Sequence, residues 1–232
     1  MFDRLFTMKR YFLLLLPLLA FAATEKPSTK SGDKLASAAS LWADSLKAEQ
    51  EVHYDEALEK IAEFGKQGGD RYLVALRTAW LNYLKADYNT AATAYAAAST
   101  LQPSAMTPLL GGLSTAIAQG NASKISKAAE AVLKVDPSNY KANMVLANAS
   151  FAIPDYRRAH SLFRRMLTFY PEDIDATSGA AWSAFYIGEK KGAQDGFKKI
   201  LSLNPEYPYA QRGLDLSSGT APPNGKAARP AK

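Results

Sequence analysis

The strongest constraint in this sequence is a spacing: Pro103, Pro137, Pro171 and Pro205 recur at one constant interval of thirty-four positions. Each sits in similar company, as Leu101-Gln102-Pro103, Val135-Asp136-Pro137, Phe169-Tyr170-Pro171 and Leu203-Asn204-Pro205. Proline has no amide donor and cannot continue a helix, so evenly spaced prolines mark evenly spaced helix ends. A chain punctuated in this way repeats one supersecondary unit, and its core runs through stacked copies of that unit.

The same period appears between the prolines. Ala91, Ala159 and Ala193 lie at one fixed distance before a proline, with Ile125 in the remaining slot. One helical turn later come Tyr95, Ala129, Phe163 and Phe197. Small and large residues therefore stack on one face, as interlocking helices require. Ala79, Leu113, Ala147 and Ala181 mark an equivalent site on the preceding helix, and Tyr88 and Tyr156 follow Asp87 and Asp155 in the turn between the two. Upstream, Tyr54-Asp55-Glu56-Ala57, Ile61 and Phe64 take the same slots, with Gly69 in place of proline. Five blocks result: 38–71, 72–105, 106–139, 140–173 and 174–207. Residues 208–216 begin a sixth first helix that stops short, and read as a capping helix.

In repeat length and in its small, aromatic and proline positions, the segment 38–207 resembles the tetratricopeptide repeat (TPR) family. The resemblance implies an all-α fold, a right-handed solenoid of five helix-turn-helix repeats plus the C-terminal cap. Block 3 departs from the pattern, with Ile125 in an alanine slot and Gly111 and Gly112 inside its first helix. Glycine costs a helix interior about 1 kcal/mol relative to alanine, which marks block 3 as the expected soft point.

The ends differ from the repeats. Arg4, Lys9 and Arg10 precede the apolar run Tyr11 to Ala22, and Ala20-Phe21-Ala22 supplies small residues around a cleavable bond. This reads as a signal peptide over 1–22, cleaved near Ala22, and places the protein in the periplasm or outside the cell. The run contains Pro17 and falls short of the roughly 20 residues of a membrane span, which leaves an uncleaved anchor as the alternative. Met8 offers a second start. Residues 23–37 are polar and read as a flexible leader; residues 217–232, with Pro222, Pro223, Gly225 and Pro230, read as a disordered tail.

Composition removes several chemistries. Without cysteine there is no disulfide, thiolate zinc site, iron–sulfur cluster, cysteine nucleophile or lipoprotein anchor. His53 and His160 are the only histidines, and no carboxylates accompany them in metal-ligand spacing. No catalytic residue, metal ligand or cofactor is expected, and the chain reads as a non-enzyme. The net charge of +6 invites a nucleic-acid partner until it is mapped. Residues 1–37 hold six basic and three acidic residues, residues 208–232 four and one, and the five blocks eighteen of each. The charge belongs to the ends, and nucleic acid is not the expected partner.

In TPR arrays the first helix of each pair lines the concave face. Carried over by that resemblance, the partner-binding groove comprises Trp42, Leu73, Leu76, Trp80, Tyr83, Leu110, Ile117, Met144, Asn148, Phe151, Trp182, Phe185 and Tyr186. Large amphipathic rings on an accessible face suit a protein or peptide with an apolar or amphipathic segment. The competing reading packs these rings against neighbouring helices, or buries them in a homo-oligomer. A carboxylate grip would have only Lys141 and Asn148 to use. On the second helices, Arg157, Arg158, Arg164 and Arg165, continued by Lys190, Lys191, Lys198 and Lys199, form a basic stripe. It reads first as a solvated surface, with anionic lipid head groups or an acidic partner as the alternative. The expected function is a non-catalytic scaffold or adaptor outside the cytoplasm, for instance in cell-envelope assembly.

Overall fold

The computed structural model describes residues 29–220, and among them every regular element is a helix. The order is α1 (Thr29–Gln50), α2 (Tyr54–Lys66), α3 (Arg71–Leu84), α4 (Tyr88–Leu101), α5 (Met106–Gln119), α6 (Ala122–Val135), α7 (Tyr140–Ala152), α8 (Tyr156–Phe169), α9 (Ile174–Tyr186), α10 (Lys190–Leu203) and α11 (Ala210–Ser218). From α2 on, each helix packs on the next, and from Ala38 the chain forms one compact unit. It is a solenoid of five helix pairs, α1–α2 to α9–α10, closed by α11.

Both ends of the solenoid depart from the sequence reading. Helix α1 begins at Thr29, inside the segment 23–37 read as a flexible leader. Leu35, Ala36 and Ala38 are good helix formers that extend it backwards from the buried Leu41. The cap ends at Ser218, so the first residues of the expected tail are helical. Ser217 is buried, and its carbonyl accepts a hydrogen bond from Gln194 Nε2 at 2.9 Å. The signal peptide over 1–22, the start of the leader and the tail beyond Thr220 lie outside the described residues.

The turn inside each pair repeats a single device. The backbone enters the left-handed region at Val52 (φ 66°), Ala86 (62°), Gly120 (67°) and Gly188 (86°), which occupy the same place in their repeats. The next amide reaches back five residues: His53 N–H donates to Ala48 O at 2.8 Å, Asp87 to Asn82 at 2.9 Å, Asp155 to Ser150 at 3.0 Å and Glu189 to Ala184 at 2.9 Å. These bonds satisfy carbonyls that a helix C-terminus leaves open. The same residue then starts the second helix. Asp87, Asn121 and Asp155 accept the amides of Thr90, Lys124 and Arg158, whereas His53 and Glu189 make no side-chain cap.

Between blocks, volume is matched with the period of the repeat. Large residues on the second helices, Tyr95, Phe163 and Phe197, lie against Gly111, Gly179 and Gly213 of the following helix. Where the second helix carries the small Ala129, the matching position holds Val145, and both belong to one core cluster. Gly111, read from local propensity as a weakness, is required by the ring above it. No side chain approaches within 4 Å of a Cβ placed on Gly112.

Candidate partner-binding face

The first helices carry two groups of rings, separated by a more polar stretch. Toward the N-terminal side, Trp80 and Tyr83 on α3 stack at 6.0 Å between centroids and 15° between planes, and Tyr83 meets Tyr88 of α4 at 5.6 Å. All three are half-buried. Burial, and secondarily the neighbouring Tyr88, raises the pKa of the Tyr83 phenol.

A buried polar network fixes this group to α1. The Trp80 indole Nε1 donates to Glu49 Oε1 at 2.8 Å, and Arg77 Nη1 donates to the other oxygen of the same carboxylate. Arg77, only 8% exposed, also donates from Nη2 to the Ser45 carbonyl at 3.0 Å and from Nε to the Ser45 hydroxyl at 3.3 Å. A guanidinium can be buried when its donors are satisfied in this way. The sequence reading missed this network. Its signal was available: the positions one and three repeats after Arg77 are Gly111 and Gly179, and the one between them is Val145, so a charge in this register needs a buried partner.

The second group lies toward the C-terminal side. Phe151 of α7 meets Tyr156 of α8 at 5.2 Å and Tyr186 of α9 at 5.8 Å, and Tyr156 and Tyr186 stack at 4.4 Å. Phe185 joins Tyr186 at 5.5 Å. The four rings are half-buried, so each keeps part of its surface toward solvent.

Between the groups, Leu110 and Met144 pack on the central core, while Ile117 and Asn148 are exposed. Lys141 Nζ donates to Ser114 Oγ at 2.9 Å, and burial lowers the pKa of its ammonium. Leu73 and Leu76 on α3 are half-buried.

One predicted groove residue belongs elsewhere. Trp182 is 1% exposed and crosses Phe197 of α10 edge to face at 5.0 Å. It sits in a cluster completed by Ile200, Ala210, Leu214 and Leu216, so it is a core ring and offers a partner no surface. Trp42 is half-buried and meets Phe64 of α2 at 5.6 Å, within the cluster of the first pair. Tyr88 and Tyr156, placed by the sequence only in the turns, are in contact with the two ring groups.

The histidines face carboxylates rather than rings. His53 is exposed beside Glu51 and Glu56, at 3.7 and 3.9 Å. His160 lies 3.9 Å from Glu189, and burial lowers its pKa against the opposing pull of that carboxylate. Among the described residues, no group of three or more histidines and carboxylates is placed to hold a metal ion, and no helix is long and apolar enough to cross a membrane.

Helix pairs repeating at a constant interval, stacked through small-to-large contacts and presenting rings on their first helices, define a helical-repeat solenoid. The fold is that of the tetratricopeptide repeat proteins. A TPR protein from Parabacteroides merdae superposes with a TM-score of 0.62 at 17% identity, over 80% of this chain and 75% of that one. YrrB, described as a TPR protein with an unusual peptide-binding site, gives 0.60 at 12% identity, over 81% and 97%. MamA of Desulfovibrio magneticus gives 0.57 at 16% identity, over 74% and 97%. No family model and no curated protein matches the sequence.

Proposed function

We propose that this protein is a non-catalytic adaptor that holds a segment of another protein on its first-helix face, outside the cytoplasm. The observation that carries this reading is the half-exposure of two ring groups, Trp80–Tyr83 and Phe151–Tyr186–Phe185, on first helices of one solenoid. Rings held rigidly by their neighbours lose little entropy when a partner covers them, which is why aromatic side chains concentrate at binding hot spots. The apolar and polar mixture between the groups suits an extended or amphipathic helical segment. The description of YrrB as peptide-binding supports this reading by analogy of fold. The extracytoplasmic setting, and with it a role in envelope assembly, rests on the sequence of residues 1–22.

The test replaces Tyr83 and Tyr186 by alanine, separately and together, and compares the proteins recovered with each variant after crosslinking in the native host. Selective loss of the same recovered proteins in both variants, with helix content and melting unchanged, supports the reading. Unchanged recovery overturns it. Sedimentation of the wild-type chain separates the competing self-association reading: an oligomer that dissociates in the double variant assigns the rings to a contact between copies.

A further inference from the structure

We infer that the outer face of α8 and α10 is a docking surface for an anionic phospholipid bilayer. Four cations occupy equivalent places in the last two blocks: Arg157 and Arg164 on α8, and Lys191 and Lys198 on α10, each pair seven residues apart and the two pairs offset by one repeat. Seven residues are two helical turns, so each pair points the same way, about 10 Å apart along its helix. All four are exposed, and among the described residues no carboxylate lies within ion-pair distance of any of them.

The two helices both pack on α9 and are linked to each other by side chains near their ends. His160 of α8 approaches Glu189, which precedes α10, at 3.9 Å, and near the other end Lys199 Nζ of α10 donates to the Pro171 carbonyl just beyond α8 at 2.8 Å. The four cations therefore form a two-by-two array. The matching positions in the earlier blocks are Asp55 and Ala62, Asn89 and Ala96, and Ser123 and Glu130, so the array is confined to the last two repeats and is not a general property of solvated second helices.

The second observation is apolar. Phe169 and Leu203 end the same two helices and are 43% and 52% exposed. At about 100° per residue, Phe169 falls on the margin of the arc that carries Arg157, Arg164 and Arg165, and Leu203 falls at the same place relative to Lys191, Lys198 and Lys199. Asp195 is the acidic residue on the α10 arc. Cations backed by exposed apolar side chains match a bilayer interface, where phosphates meet the first methylenes, better than an acidic protein surface, which would leave both apolar tips uncovered.

The experiment measures partition of the chain from residue 23 onward onto vesicles of phosphatidylglycerol and phosphatidylcholine, against phosphatidylcholine alone. Binding to the anionic vesicles is expected at low salt, weakening as ionic strength rises. Replacing Arg157, Arg164, Lys191 and Lys198 by glutamine should lower the partition by roughly 1,000-fold. Phe169→Ser with Leu203→Ser should lower it about tenfold or more with salt dependence retained. Replacing the exposed Lys47, Lys66 and Arg71 by glutamine should leave it nearly unchanged, and circular dichroism confirms that each variant is folded. No binding to anionic vesicles at low salt overturns the inference, even if an acidic protein is bound instead. So does a loss that tracks the number of charges removed wherever they lie. Neither result bears on the first-helix rings, so this surface and the adaptor reading fail independently.

Discussion

The ring of Tyr95 rests on the backbone of Gly111, so that a Cβ at Gly111 would lie 2.3 Å from Tyr95 Cε1. Tyr95 is 5% exposed and belongs to the preceding repeat. The glycine that weakens α5 locally is what allows the second and third repeats to close on each other.

Gly111→Ala should therefore destabilise the protein by about 1–3 kcal/mol through overpacking. Gly112→Ala, where the added methyl meets nothing within 4 Å, should stabilise it by about 0.5–1 kcal/mol. Urea midpoints with unchanged slope would check both. In a Tyr95→Ala background the penalty at Gly111 should vanish; persistence of the full penalty there would show that the ring is not its cause.

The turn residues make a second prediction. Val52 is β-branched, 62% exposed and held at φ 66°, a conformation that costs an L-residue roughly 1–2 kcal/mol. Val52→Gly removes that strain with little packing to lose, at the expense of a more flexible unfolded chain. A net gain of about 0.5–1 kcal/mol is expected, with a smaller gain for Ala86→Gly. A lower melting temperature for Val52→Gly would contradict the assignment.

Arg77 and Glu49 should be energetically coupled. Glu49 keeps 22% exposure, so water screens part of the interaction, and the cost of Arg77→Met should fall below the roughly 3–5 kcal/mol of breaking a fully buried pair. A double-mutant cycle with Glu49→Gln should give a coupling of about 1 kcal/mol. Strict additivity would mean that the network holds α1 no more firmly than solvent does.

Trp182→Ala should act on folding rather than binding. Removing a ring 1% exposed costs about 3–5 kcal/mol. Tyr186→Ala, on the same helix but half-buried, should cost much less. Comparable losses would place both rings in the core.

Stability should fall in alkali. Burial pushes the pKa of the Tyr95 phenol well above its ordinary value, and burial together with its hydrogen bond to Asp175 pushes that of Tyr207 up to about 12. Below the unfolded tyrosine pKa of about 10 both states keep the proton and the contribution is complete. Above it the unfolded chain releases protons that the folded chain retains, so stability declines as pH rises through the folded values. Tyr207→Phe should flatten the part of that decline between pH about 10 and 12; an unchanged slope would refute the assignment.

The period and the helix pairs were legible because they depend on neighbours within one repeat. Asp87, Asn121 and Asp155 cap the helix they begin, and Pro103 ends the one before it. The ring-bearing face was legible only in part. Position within a repeat placed Trp80 and Trp182 in equivalent slots, three repeats apart, yet Trp80 is half-buried and Trp182 is core. Their neighbours differ: Trp182 crosses Phe197 of its own repeat and shares a core cluster with Ala210, Leu214 and Leu216 of α11, whereas Trp80 stacks on Tyr83 and bonds Glu49 of the preceding repeat.

That this chain is a stack of helix pairs is written in its sequence alone, since hydrophobic period, caps and breakers act over one or two helical turns. Which glycine is a defect and which a fit, which charge is buried, and which rings face outward were settled only by the folded chain. Each of those depends on atoms brought from roughly one repeat away, and close packing makes the free energy of a side chain a property of the neighbour it meets.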